Sequence, residues 1–489
     1  MNDSRSTPYT ILPLQFSRMF SDKVLLTNEA GEFFFINPEN FQELVTYKLN
    51  TSSSLFYDLK GKHLVTDTDI HPVIDLLATK YRTKMGFLRN FTVLHMVVIT
   101  VRCNHKCRYC HASSEESHAT QWDMNQVVAE KVVDTIFQSP STRIKIEFQG
   151  GEPLLNWERV KYIVKYAKKI NKHLKKDLSF VLCTNLTLMN EEKLNFIKKQ
   201  NILISTSLDG PKDLHDNNRR LRQDGSSYDI FLKKLELTKS IIGNKGISAL
   251  LTITKDSLSR IDDIIDEYVD KGFNGIFLRA LNPFGYAKNN QSLGYNVGEY
   301  FRTYKKALDY IIKTNLEGTY FEEFYTTLLL SRIMTPFSTG FVDLQSPAGT
   351  GISCAVYDFN GDVYPSDEAR MLGKMGIKKF LMGNVLRDEY IKIFNGDVLR
   401  ELINNSCVET LPGCAWCVFQ QYCGADPIRN FSTQGDITGH RPTNEFCKKN
   451  MAIIKYLFEL IIENNDDVMD VFWSWITKRP LEELRNVEL

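Results

Sequence analysis

Cys103-Asn104-His105-Lys106-Cys107-Arg108-Tyr109-Cys110 follows directly on an apolar stretch over residues 93–101. Three thiolates on one short loop can each bind one iron of a cuboidal 4Fe–4S cluster and leave the fourth iron without a protein ligand. An open iron is a chemical site, because a small molecule can chelate it. A cluster used only for electron transfer usually has four cysteine ligands. Zinc is the alternative for these thiols, with His105 or His111 as a fourth ligand. Structural zinc motifs, however, usually come as two separated pairs.

Downstream stand Gln149-Gly150-Gly151-Glu152-Pro153, then Thr184-Asn185, then Ser207-Leu208-Asp209-Gly210-Pro211. Together with the cysteine loop, these motifs resemble, in order, those of the radical S-adenosylmethionine (SAM) enzymes. The resemblance covers roughly residues 94–283.

The formal net charge of +1 sets up no global field to recruit nucleic acid or an anionic membrane. The first ten residues lack an apolar signal core, and no apolar run is long enough to span a bilayer. Ten cysteines cluster at metal-ligand spacings, which suits a reducing compartment better than disulfides. A cytoplasmic protein is expected. At 489 residues the chain exceeds one ordinary core and divides into sections.

Residues 1–90 open with a hairpin pattern: Lys23-Val24-Leu25-Leu26-Thr27, a turn at Asn28 to Gly31, then Phe33, Phe34, Phe35 and Ile36. Asn37-Pro38 starts a helix with Phe41, Leu44 and Val45 at helical spacing, and a second helix is expected over 53–60. This small α+β section resembles the winged-helix peptide-recognition element of peptide-modifying radical enzymes. It could equally be a cap on the barrel edge.

Residues 91–335 alternate strands and helices. Strands are expected over 95–101, 143–148, 178–183, 203–208, 248–254 and 275–279. Helices are expected over 126–137, 157–174, 191–199, 228–242 and 260–271. Such alternation implies right-handed βαβ units and a parallel sheet, here an α/β fold in the form of a partial (βα)6 barrel. Each motif lies just after a strand, at the carboxyl end where barrels carry their chemistry. A helical bridge over 297–334 leads to residues 336–489, with Cys354, Cys407, Cys414, Cys417, Cys423 and Cys447.

The resemblance implies that the open iron takes the amino and carboxylate groups of SAM. One electron then cleaves SAM to a 5′-deoxyadenosyl radical, which abstracts hydrogen from a substrate. It also implies that Tyr109 contacts the adenine, that Ser207 and Arg219 contact the ribose or carboxylate, and that Asn185 neighbours the ribose. Glu152 can accept from the SAM ammonium. Gly150 and Gly151 allow close backbone approach. Asp209 shapes the turn, and His105 and His111, on an exposed loop, are hydrogen-bonding or solvated rather than ligands. Leu186 stands where the family commonly has glycine. Cys183, ending an apolar strand, reads as a buried small hydrophobe.

Cys414-x-x-Cys417-x5-Cys423, with Cys447 beyond, resembles the C-terminal SPASM extension of peptide-modifying radical SAM enzymes, where these positions hold one auxiliary 4Fe–4S cluster. Zinc is again the competitor. A full SPASM domain holds a second auxiliary cluster, but here Ser366 and Pro427 stand where cysteines are expected. That cluster should be absent or incomplete, leaving Cys354 and Cys407 without obvious partners. Asp367 occupies the place of the general base proposed for sulfatase-maturing relatives.

These features are similar to the radical SAM maturase of the His-Xaa-Ser peptide system. The implied partners are a peptide or protein substrate and an electron donor such as flavodoxin or ferredoxin, without nucleic acid or membrane. One alternative is a sulfatase-maturing enzyme that oxidises Cys or Ser to formylglycine. Another is a non-catalytic iron–sulfur scaffold that binds a peptide, which would not need the Gly-Gly-Glu-Pro motif or Ser207.

Overall fold

The computed structural model describes residues 7–18, 22–110, 112–282, 284, 285, 287 and 290–485. Its centre is one nine-stranded sheet of β1 (Leu94–Thr100), β2 (Arg143–Gly150), β3 (Asp177–Cys183), β4 (Ile202–Ser207), β5 (Ile247–Thr252), β6 (Leu278–Arg279), β7 (Cys354–Tyr357), β8 (Asp362–Tyr364) and β9 (Gly383–Asn384), in the order β6-β5-β4-β3-β2-β1-β7-β8-β9. Neighbours among β1 to β6 are parallel, as the strand–helix alternation requires. Helices Gln126–Phe137, Trp157–Leu174, Glu191–Gln200, Ser227–Ile242 and Ile261–Asp270 form the crossovers. Several start on a side chain that accepts from the first helical turn: Asn125 from Val128, Asn190 from Lys193 and Ser226 from Asp229.

The period of two divides the strands between two environments. Val97, Ile99, Ile146, Phe148, Phe180 and Leu182 pack under the helices, while Met96 and Val98 turn the other way, against Val356 and Tyr364. That second packing marks a junction the sequence did not reveal. β7, from the C-terminal section, pairs in parallel with β1, register Cys354↔Leu94, so barrel and C-terminal section share one sheet.

The sixth strand, expected over 275–279, is split. Gly275–Ile276 pairs with Glu322–Glu323, and only Leu278–Arg279 pairs with β5. Buried Glu323 accepts from the backbone N of Leu278 at 3.0 Å, replacing a ladder bond where the strand changes neighbours.

The N-terminal section is a three-stranded antiparallel sheet (Leu14–Ser17, Val24–Asn28, Phe33–Ile36) with helices Pro38–Val45, Ser54–Gly61 and Ile70–Lys84. The hairpin turns on Asn28, whose Oδ1 accepts from Ala30 and Glu32, and on Gly31 at φ 77°. The section docks on the C-terminal part. Thr27 Oγ1 donates to the Val418 carbonyl, Tyr422 donates to the Gly31 carbonyl, and Phe33 and Phe35 pack edge-on to Phe458. Among the described residues no helix is long and apolar enough to cross a membrane.

Candidate functional site

β1 ends in a buried anchor. Arg102 donates from Nε and Nη2 to both oxygens of Asp123, at 2.8 and 2.6 Å, and to the carbonyls of Ser117 and Leu155. The cysteine loop leaves from this point. Residues His105–Cys107 pair antiparallel with Arg219–Leu221, in register Arg219↔Cys107. Arg222 Nε donates to the Cys103 carbonyl at 3.0 Å, and Arg108 N to the Asn218 carbonyl at 2.9 Å. The segment 219–222 thus frames the loop, and of it only Arg219 was singled out from the sequence.

All ten cysteines are free thiols. Burial, then their mutual charge, pushes Cys103 up, and burial pushes Cys107 up to about 12 against the pull of Arg219. Cys103 and Cys107, so placed, ionise readily only with a metal to bind them, and with Cys110 on the same loop they fit a cluster.

The glycine pair fixes this loop. A β-carbon on Gly150, at φ 146°, would stand 2.0 Å from the Thr100 carbonyl oxygen, and one on Gly151 would stand 2.1 Å from that of Arg102. The room so kept lets Gly151 N and Glu152 N donate to those same carbonyls at 2.9 and 2.7 Å. The Glu152 carboxylate is fully buried and accepts from Thr184 Oγ1 at 2.7 Å, Asn185 N at 2.8 Å and Leu154 N at 3.1 Å. Burial still outweighs these donors and pushes it up to about 7.

Asn185 Nδ2 donates to Asn104 Oδ1 at 2.9 Å, linking the third strand's end to the cysteine loop. Leu186 adopts φ 64° with its side chain fully buried, so leucine takes a left-handed turn of the kind that favours glycine. Ser207 ends β4, partly exposed.

Three expectations need correction. Asp209 does more than shape a turn: its fully buried carboxylate accepts from Tyr109 Oη at 2.5 Å and pairs with Arg219 Nε at 3.2 Å, the guanidinium lying 5.4 Å over the Tyr109 ring. His105 is buried, not on an exposed loop, with Nε2 3.5 Å from Ser227 Oγ, and burial pushes it down to about 3. His111 lies outside the described residues. Cys183 is only partly buried, and its nearest polar influences are Glu147 and Ser205; burial, then Glu147, raises its thiol. In β3 the fully buried alternation belongs to Phe180 and Leu182, and Cys183 points the other way.

Facing the barrel from the C-terminal section is helix Asp367–Lys374. Asp367 accepts from Nε of buried Arg370 at 3.0 Å. Glu368 lies 4.0 Å from Arg279 Nη2, at the end of β6. Burial, then Asp343, Asp367 and Asp426, pushes Glu368 up to about 7 despite Arg279. Lys374 closes the helix on the cysteine-loop side, pairing with Glu115 at 2.8 Å.

Cys414, Cys417, Cys423 and Cys447 lie close enough that their charges oppose one another's ionisation. Arg441 Nε donates to Cys414 Sγ at 3.1 Å and Asn450 Nδ2 to Cys423 Sγ at 3.6 Å, so donors for thiolates are in place. Among the described residues no three Cys, His, Asp or Glu side chains stand at the spacing one ion demands. The four thiols with two donors at their sulfurs fit an iron–sulfur cluster.

The two departures from the SPASM pattern have structural uses. Ser366 caps helix Asp367–Lys374, accepting from Ala369 N, and Pro427 is the first residue of helix Pro427–Gln434 behind the cap Asp426. Cys354 donates to the Pro365 carbonyl and Cys407 to that of Ile403.

Residues 97–268 match the model of the Radical SAM superfamily. The chain is 24% identical over 378 residues to a cysteine-type anaerobic sulfatase-maturating enzyme of Clostridium perfringens (strain 13 / Type A), covering 74% of this chain and 94% of that protein. Among solved structures it resembles native anSMEcpe with bound AdoMet and Cp18Cys peptide (TM-score 0.63, 21% identity, 76% of this chain and 98% of that one). It also resembles Streptococcus suis SuiB bound to precursor peptide SuiA (TM-score 0.54, 13% identity, 90% of this chain and 100% of that one).

Proposed function

Starting from a chain that is an enzyme with a radical SAM domain over residues 97–268, we propose that it is a maturase that modifies a ribosomally made peptide of the His-Xaa-Ser type. The observation that carries this reading is the joining of two thiol sets in one chain: three on the loop at the barrel mouth, and four in a C-terminal section sharing the barrel's sheet. Similarity to a sulfatase-maturating enzyme over most of its length supports a peptide or protein substrate.

Cys103, Cys107 and Cys110 would hold the SAM-binding 4Fe–4S cluster, and Cys414, Cys417, Cys423 and Cys447 an auxiliary one. Bound there, cluster and SAM supply the electron and the 5′-deoxyadenosyl group that takes a hydrogen from the substrate. Tyr109, Gly150, Gly151, Glu152, Asn185, Ser207 and Arg219 would line the SAM site. The Glu152 carboxyl, pushed up to about 7 by burial despite three donors and the charge of Lys193, would be lowered by a close cation. The SAM ammonium would supply one to Glu152. Arg219, fixed by Asp209, holds a positive charge beside Cys107.

After hydrogen abstraction an oxidation also releases a proton. Asp367 and Glu368 are the carboxylates we assign to receive it: Asp367 oriented by Arg370, Glu368 titrating near neutrality. The N-terminal section would hold the peptide's leader, and flavodoxin or ferredoxin in the cytoplasm would deliver the electron.

A second reading, formylglycine formation on a sulfatase, is favoured by the similarity to a sulfatase-maturating enzyme and by Asp367. The replacement of two cluster ligands by Ser366 and Pro427 weighs against it.

The test is anaerobic reconstitution with iron, sulfide and dithionite. The wild type should form 5′-deoxyadenosine from SAM, and replacing Cys103, Cys107 or Cys110 by Ala should stop this; turnover in any of the three overturns the reading. Two cuboidal clusters give about eight irons per chain; about twelve would mean that Ser366 and Pro427 had been misread, and about four with one zinc would remove the auxiliary cluster. Mass change in a His-Xaa-Ser peptide, against a sulfatase-derived Cys or Ser peptide, separates the two substrates.

A further inference from the structure

Arg441 reaches the four-cysteine set from outside its sequence motif. It opens the short turn Arg441–Thr443, which precedes Asn444, the cap of helix Glu445–Glu463. Asn444 accepts from the backbone N of Cys447, so the turn that places Arg441 also places one of the four thiols. The Arg441 side chain doubles back across Gly413: a β-carbon there would lie 3.2 Å from Cγ and 3.3 Å from Cβ of Arg441. Glycine at φ 78° therefore leaves room for the arginine stem beside Cys414.

The guanidinium ends in an unusual position. Arg441 is 9% exposed and its Nε donates to Cys414 Sγ at 3.1 Å. Its Nη2 is buried and has no hydrogen-bond partner among the described residues. A buried guanidinium nitrogen without an acceptor is costly, and one beside four gathered thiols lacks the acceptor that a cluster's sulfide or thiolate sulfur would provide. Cys423, by contrast, receives a neutral donor, Asn450 Nδ2, at 3.6 Å.

We propose that Arg441 raises the reduction potential of the auxiliary cluster, donating to Cys414 Sγ and to a second cluster sulfur, and so stabilises the reduced state. Reduction adds one negative charge to a group already ringed by four thiolates. Hydrogen bonds to the sulfurs and nearby positive charge both favour that added charge. An arginine does so without titrating, because it stays charged at any working pH. Arg441 touches no substrate, so it is a positioning residue whose effect passes through the cluster. The inference rests on the cluster reading of Cys414, Cys417, Cys423 and Cys447.

The experiment isolates that cluster in the full chain by replacing Cys103, Cys107 and Cys110 together with Ala. Redox titration followed by electron paramagnetic resonance then gives its midpoint potential in this background, and again with Arg441→Gln and Arg441→Lys added. We expect about four irons in all three proteins. Arg441→Gln should lower the reduced-to-oxidised ratio at fixed potential at least tenfold, about 59 mV for a one-electron couple. Arg441→Lys, which keeps the charge but not the planar fork, should fall between. An unchanged midpoint in Arg441→Gln overturns the proposal. Loss of iron from both Arg441 variants also overturns it, making Arg441 a residue of cluster assembly. Zinc in place of iron before Arg441 is altered overturns the underlying cluster reading, a failure visible without either variant.

Discussion

Asp367 accepts a hydrogen bond from Nε of Arg370 at 3.0 Å, and that arginine is 2% exposed and stands 3.9 Å from Asp358 as well. Asp367 is thus held in place, whereas among the described residues its neighbour Glu368 has Arg279, at 4.0 Å, as its ion-pair partner. Glu368 is pushed up to about 7 by burial and by Asp343, Asp367 and Asp426. Replacing Glu368 by Gln should abolish peptide product while 5′-deoxyadenosine still forms. In the wild type, product formation should rise with pH through about 7. Asp367→Asn should likewise lose peptide product while 5′-deoxyadenosine still forms, and any residual product should follow a profile moved to lower pH, because one charge opposing Glu368 is gone. Undiminished product in Glu368→Gln would return the proton to Asp367.

The same raised value has a stability consequence. Between the ordinary glutamate range and about pH 7 the folded chain keeps a proton on Glu368 that the unfolded chain has released. Stability from this group is therefore full at acid pH and lost as pH rises through about 7. Glu368→Gln should flatten that part of the pH–stability curve, measured by denaturant titration; a steeper decline in the variant would contradict the sign.

Gly150 and Gly151 each have backbone carbonyl oxygens where a β-carbon would go, at 2.0 and 2.1 Å. Neither oxygen can swing aside, since both accept from the strand beside them. Either glycine changed to Ala should destabilise by about 3 kcal/mol or more. It should also displace the cysteine loop enough to slow SAM cleavage about 100-fold. Near-normal cleavage in Gly151→Ala would show that the loop does not depend on this contact.

The barrel was legible because its strands and helices carry strong, separate periods. Helices Gln126–Phe137 and Trp157–Leu174 fall where the apolar spacing puts them. What the sequence hid depends on contacts between distant segments. The pairing of Cys354–Tyr357 with Leu94–Thr100 joins residues some 260 apart, and nothing in either strand's composition names its partner. The Tyr109–Asp209–Arg219 group is assembled the same way, from a loop, a strand end and a short ribbon. Ser366 and Pro427 were visible as departures from a ligand pattern, but their service as helix starts shows only once the helices are placed.

Leu186 sets two effects against each other. Its φ of 64° costs leucine about 1–2 kcal/mol, which glycine would recover. Its fully buried side chain contributes more, since emptying such a site costs about 2.7–5 kcal/mol. Leu186→Gly should therefore destabilise by a net of about 2 kcal/mol, read from denaturant unfolding, although glycine suits the left-handed turn better. A stabilised variant would mean that strain, not packing, dominates the turn.

The N-terminal section can be tested without deleting it. Removing it would bare Phe458 and Tyr422, which pack against Phe33, Phe35 and Gly31, so a deletion would confuse binding with stability. A cavity of about 190 Å3 lined by Pro13, Glu29, Ile74, Leu77, Ala78 and Tyr81 offers a milder site. Ile74 is 39% exposed there, so Ile74→Asp places a charge on its apolar wall at little cost to folding. If this section holds the leader, peptide affinity measured by fluorescence anisotropy should fall about tenfold or more, the loss of roughly 1.4 kcal/mol of apolar contact. SAM cleavage without peptide should be unchanged, because Ile74 belongs to none of the thiol sets or their supports. Equal affinity in Ile74→Asp and wild type would leave this section as a cap, one that sits on the C-terminal section rather than on the barrel edge.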